Sequence, residues 1–167
     1  RPRFAWGAEA PSMRSGSNHL RWIGGDEALR ITTDLPVGFI AAETRFVLDR
    51  PANLILSLDE PLVEAPARVA REFEEETTAY WLEWCRLLHV PFEWQEAVIR
   101  AAITLKLCAH DDTGGIVAAL TTSIPEAPGT ARNWDYRFCW LRDAAFTVQA
   151  LNRLGATRTM ENYCRYL

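Results

Sequence analysis

The spacing of apolar positions changes character once along the chain, near residue 64. Before that point, short β-branched and apolar runs at 29–32, 43–48 and 54–58 are set off by Gly24-Gly25, Pro36, Gly38, Pro51 and Pro61. Such punctuation predicts antiparallel strands, because glycine and proline serve turns and spoil ladders. About four strands fit into residues 1–63, enough for part of an antiparallel β-sandwich.

Beyond residue 64 the period lengthens. Val69, Phe73, Thr77, Tyr80, Trp81, Trp84 and Leu88 recur at steps of three and four, which predicts an amphipathic helix within 64–90. Glu72, Glu74, Glu75 and Glu76 form its acidic face, expected to be solvated. After Pro91, a stripe of Val98, Ala102, Leu105 and Ala109 predicts a second helix. Asp111 to Gly115 should end it, with glycine in the left-handed cap position. A long irregular segment follows, with a short apolar strand expected at 116–119; loops of that length in compact domains are often functional. A third helix is expected from Cys139, closed by Gly155, and a fourth from Ala156. Tyr163, Tyr166 and Leu167 in the fourth would need a partner element that the chain does not supply. Strands followed by helices make the fold class α+β.

Composition narrows the function. The 167 residues are 49% apolar, enough for one ordinary domain or two incomplete ones. With 18 basic and 22 acidic residues the net charge is −4, no footprint for nucleic acid or an anionic membrane. No run approaches the roughly 18 apolar residues of a bilayer span. The opening RPRFAWG lacks a starting Met, a charged region and an apolar region, so it shows no signal peptide; it is equally compatible with the interior of something longer. Cys85, Cys108, Cys139 and Cys164 are too widely spaced for a metal site and are expected as buried free thiols, which suits a cytoplasmic, reducing location. His19, His89 and His110 are scattered. Neither a metal nor another cofactor is called for.

One stretch carries chemistry: RNWDYRFCWLRDAAF, residues 132–146. Trp134, Tyr136, Phe138, Trp140 and Phe146 stand among Arg132, Asp135, Arg137, Arg142 and Asp143. Buried charges are costly unless paired, so neither a core role nor a surface role explains the mixture. Sugars are held by such mixtures. Aromatic faces stack on the C–H faces of the ring, while Arg donates to and Asp accepts from neighbouring hydroxyls. On chemistry alone, the simpler account of Arg142 and Asp143 is structural pairing near a helix start, where an acidic residue is favoured anyway.

Residues 104–156 resemble the start of the catalytic domain of glycoside hydrolase family 15, which includes glucoamylases, glucodextranases and bacterial trehalases. The matching pieces are LKL at 105–107, TTSIPE at 121–126, RNWDYR at 132–137 and CWLRDAAFT at 139–147. ETTAYWLEW at 76–84 resembles the linker helix before that domain, and PRFAWG at 2–7 part of its β-sandwich. The resemblance implies a partial sandwich over 1–63, a linker helix over 64–90, and the first helices of an (α/α)6 barrel over 91–167. It also implies that Tyr136 and Trp140 line a pocket for a nonreducing-end glucose, and that Arg142 and Asp143 hydrogen-bond its hydroxyls. Trp134, Asp135 and Arg137 would shape or brace the wall. Residues 128–131 stand where a Gly-Gly pair is common, Phe138 where Tyr is common and Cys108 where an apolar residue is usual; these touch loop shape and substrate choice.

The family inverts the anomeric carbon with one protonated carboxyl and one carboxylate, roughly 6.5–9.5 Å apart so that a water fits between. Both are glutamates on later barrel loops, and no acid here occupies such a position. Glu126, in TTSIPEA, is the nearest tempting candidate and is expected to be an ordinary loop residue. The chain is therefore expected to be a fragment of an inverting α-glucoside hydrolase, with glucose-positioning residues and no catalytic residue, inactive and unstable alone. Its partner would be an α-linked glucose substrate; the oligomeric state is left open. A disaccharide phosphorylase and a non-catalytic carbohydrate-binding or structural protein are the alternatives.

Overall fold

The computed structural model describes residues 2–120, 127, 129–132 and 134–167, the side chain of Trp6 excepted. The chain forms two compact units, Arg1–Ala79 and Tyr80–Leu167.

In the first unit, strands β1 (Ser12–Ser15), β2 (His19–Gly24), β3 (Glu27–Thr33) and β4 (Leu54–Leu58) form one antiparallel sheet in that order. Gly25, at φ 58, opens the two-residue turn between β2 and β3, where a positive φ matches the strand twist. Leu20 and Trp22 of β2 lie opposite Ile31 and Leu29 of β3. Phe4 and Val37 cover them, the latter from the short helix α1 (Val37–Ala41). The other face is polar: Arg21 and Arg30 are directly paired across the strands. Like charges so placed repel, and Asp59 offsets this by accepting from Arg21 and lying 3.7 Å from Arg30.

The expected runs at 29–32 and 54–58 are strands, but 43–48 is not. Both sides of β3 are taken by β2 and β4, and the run does not add to the open edge of β1 or β4. Residues 43–48 instead leave α1 through Glu43 at φ 53, and Phe46 packs its ring 5.7 Å from that of Phe39. The described residues form a single sheet, without the second layer of a sandwich.

Helix α2 (Pro66–Arg86) runs where the long period predicted it, and the division between units falls within it. Its acidic side is solvated, with the pairs Arg68–Glu72 and Arg71–Glu75 at helical spacing. None of its residues is buried. In the second unit, α3 (Gln95–Leu107), α4 (Leu141–Arg153) and α5 (Thr157–Tyr166) pack around two small apolar clusters. One holds Leu88, Ala102 and Leu151, the other Ile116, Ala144 and Tyr163.

Gly155 closes α4 as expected. At φ 82 it donates to the Asn152 carbonyl, and Ala156 donates to that of Leu151, each at 3.0 Å; these are the paired bonds of a Schellman motif. The expected glycine cap of α3 is not found. That helix ends on Cys108 in right-handed conformation, and Gly114, at φ 80, serves a later turn between the bridged residues Ala109 and Ile116. The strand expected at 116–119 shrinks to that bridge. Tyr163 needs no absent partner, since α4 and Ile116 bury it to 6% exposure; Tyr166 and Leu167 do remain exposed. All four cysteines are free, yet Cys164 is exposed and the others only half-buried, so burial falls short of the expectation.

Leu151 is fully buried and ties α4 to Leu88 and Ala102. Leu151→Ala should lower stability by about 2–5 kcal/mol in urea unfolding. Leu82→Ala, at a 53% exposed position, should stay within about 0.5 kcal/mol.

Candidate functional site

Residues 134–143 are shaped by backbone bonds before side chains enter. Ala118 donates to the Phe138 carbonyl at 3.1 Å and Ala119 to that of Tyr136 at 2.8 Å. These bonds lay the aromatic segment beside the chain that leaves the buried Ile116. Asp135 then folds the segment on itself. Its Oδ1 accepts the Arg137 backbone N–H at 3.0 Å and the Arg137 Nε at 2.9 Å, and its Oδ2 accepts Nη2 at 2.7 Å. An Asp side chain accepting the amide two residues on is an Asx-turn. The Asp135 carbonyl takes the indole N–H of Trp140 at 3.0 Å. Helix α4 starts directly after Trp140, with Asp143 in its first turn, where an acid suits the helix dipole.

The rings that result are neighbours. Trp134 and Trp140 meet edge to face, 6.3 Å between centroids at 79°. Tyr136 lies 6.3 Å from Trp140 at 48°. Trp134, Tyr136, Trp140 and Arg142 wall a hollow of about 290 Å³. Of the residues singled out in the sequence, these four are brought together. Arg137 and Asp143 do not line the hollow; Arg137 is turned onto Asp135, and Asp143 stands one residue along α4 from Arg142. Phe138 and Phe146 are about two-thirds exposed and lie outside it. Glu126 and the rest of 121–126 lie outside the described residues.

Arg142 and Asp143 form a loose pair. Nη2 is 3.2 Å from Oδ2, but the approach does not make a hydrogen bond, and that buried oxygen has no other aligned donor among the described residues. Arg142 is 71% exposed at its side chain. Three ring faces and one open guanidinium can hold a polyol by stacking and donation. No carboxylate lines the hollow among the described residues. A larger cleft of about 490 Å³ elsewhere in this unit is walled in part by Tyr80, Trp84 and Lys106, and Lys106 is already paired with Asp111.

Sequence reasoning left the role of Asp135 vague and missed Ala118 and Ala119. An Asp-x-Arg spacing inside a turn-rich stretch was the available signal for the first; backbone donors leave none in side-chain identity. The Arg137 guanidinium holds the Asp135 carboxyl down from 3.8 to about 2, with help from the Arg137 amide. A depressed folded value stabilises above the unfolded one and ceases to do so as pH falls through the folded one. The aromatic circular dichroism of the ring cluster should therefore hold above about pH 4 and fade toward about pH 2. Asp135→Asn should remove that dependence.

Residues 94–167 match the family described as Glycosyl hydrolases family 15. A trehalase of Mycolicibacterium smegmatis is 33% identical over 144 residues, 83% of this chain and 22% of that protein. A trehalase of Mycobacterium tuberculosis is 33% identical over 144 residues, 83% of this chain and 21% of its own length. A trehalase of Thermoplasma volcanium is 44% identical over 81 residues, covering 48% and 13%. The chain thus spans between 13% and 22% of the length of these curated relatives. No solved structure matches. Every described wall of the hollow lies within the residues that match this family.

Proposed function

We propose that this chain carries the glucose-holding part of an inverting glycoside hydrolase acting on trehalose or another α-linked, glucose-terminated sugar. The observation that carries the reading is the convergence of Trp134, Tyr136, Trp140 and Arg142 on one hollow, inside the stretch that the family covers. Trehalases among the relatives favour trehalose.

Tyr136 and Trp140 would take the apolar faces of a terminal glucose, and Trp134 would close one side. Arg142 would donate to a pair of hydroxyls. Asp143, whose Oδ2 lacks an aligned donor, would accept from a neighbouring hydroxyl once a small rotation opens it. Arg137 would brace the wall. These contacts fix where the anomeric carbon sits; they do not cleave it. Cleavage by inversion needs an acid and a base on opposite sides of the scissile bond, and these would come from residues that this chain does not contain. The same reading takes 1–63 as part of a sandwich, 64–90 as a linker helix and 91–167 as the beginning of an (α/α)6 barrel, in a cytoplasmic enzyme. A second reading is a protein that binds the sugar without turning it over; a hollow walled by rings and one guanidinium among the described residues is compatible with it as well.

Pure 167-residue chain should release no glucose from trehalose, maltose or isomaltose; measurable release would overturn the division of labour. The native protein's mass should exceed 18.9 kDa, and a native mass equal to it would favour the binding protein. In the active protein, Arg142→Ala and Asp143→Asn should each cost about 2–4 kcal/mol of transition-state stabilisation, seen as kcat and kcat/KM falling together. Wild-type kinetics in both variants would return the pair to a structural role.

A further inference from the structure

We propose that Asp135 is the positioning residue of the ring hollow, holding Arg137 with its carboxylate and Trp140 with its carbonyl, so that a ligand meets Trp140 as a stacking face and not as a donor. The naming of the ligand as a sugar rests on the function proposed above; the positioning does not.

An indole has one N–H donor, and in Trp140 it is spent on the Asp135 carbonyl. A ring tethered in this way has lost its swing before a ligand arrives, so less ordering is left to oppose binding. The carbonyl can sit under the indole only while the turn at 135–137 is closed. That turn is closed by the Asp135 carboxylate, which accepts from the Arg137 amide, Nε and Nη2. Both oxygens are engaged by one partner in a bidentate, charge-assisted fork, the strong and directional form of this contact. Asp135 is therefore not the acceptor for a ligand hydroxyl, and it acts through its two neighbours. The consequence reaches all three rings, because Trp140 contacts both Trp134 and Tyr136.

The test uses the full 167-residue chain. The part of the near-ultraviolet circular dichroism that Trp134→Phe removes reports the Trp134–Trp140 pair. Asp135→Ala should abolish that part and weaken trehalose binding, measured by calorimetry, roughly tenfold to a hundredfold. Arg137→Ala should do the same, and the double variant should be no worse than either single one, since the two side chains act as a unit. Asp135→Asn retains an acceptor for the Arg137 amide and should fall between; it carries the comparison if the alanine variant does not fold. A ring signal that is absent in the wild type or unchanged in both Asp135 variants would overturn the proposal, as would effects that simply add. A wild type that shows an Asp135-dependent ring signal and binds no trehalose would sink the sugar reading while leaving the positioning in place.

Discussion

The candidate site depends on two backbone donors, the amides of Ala118 and Ala119. The chain leaves a fully buried Ile116, and amides near a core need partners. They find them in the carbonyls of Phe138 and Tyr136. Once these bonds are made, the aromatic segment cannot float free of the helices. An extended segment would place Tyr136, Phe138 and Trp140 on one side, because alternate residues share a face. The turn at 135–137 breaks that alternation. Tyr136 and Trp140 reach the hollow, and Phe138 is left outside it.

The helical layer behind the site rests on two glycines at positive φ, each with a close neighbour. Gly155 reverses the chain so that α5 follows α4 directly, and a side chain there would press on the His89 ring at 3.1 Å. Gly114 stands where a Cβ would come within 2.3 Å of the Asn162 carbonyl oxygen in α5. With α5 fixed at both places, Tyr163 packs with Ala144, one residue beyond Asp143 on α4. The start of α4, and with it Arg142, is thus positioned by packing on its rear side. Sequence, cap, packing and site are connected here through single residues.

What the sequence disclosed follows from what each signal measures. Helical spacing reports a face, so α2 to α5 were legible from stripes such as Val98, Ala102 and Leu105. Strand propensity reports a willingness to pair and not the identity of the partner. Residues 43–48 had the propensity and lost the place beside β3 to β4, while β1 and β2, with Arg14, His19 and Arg21 among their residues, were carried by their neighbours. A glycine announces a positive φ without saying what it caps, which is why Gly155 was read correctly and Gly114 was not. The rings of the site were legible as residue types. Their convergence was not, because it is produced by carbonyls and amides that every residue carries.

Two Arg-Asp pairs lie within nine residues of one another, and their difference is an argument about function. Asp135 and Arg137 are two apart in a turn, where the carboxylate meets both the guanidinium and the amide. Both carboxylate oxygens are taken up within the pair, and the arginine side chain is 32% exposed. Arg142 and Asp143 are adjacent on a helix, where successive side chains diverge. They touch at 3.2 Å without a true hydrogen bond, and the arginine is 71% exposed. A satisfied pair has little to offer a ligand and much to offer its neighbours' geometry. An unsatisfied pair whose arginine lines a hollow has donors and an acceptor in reserve. Residue type alone would give the two pairs the same role; backbone conformation closes the first on itself and leaves the second the one fitted to the recognition proposed above.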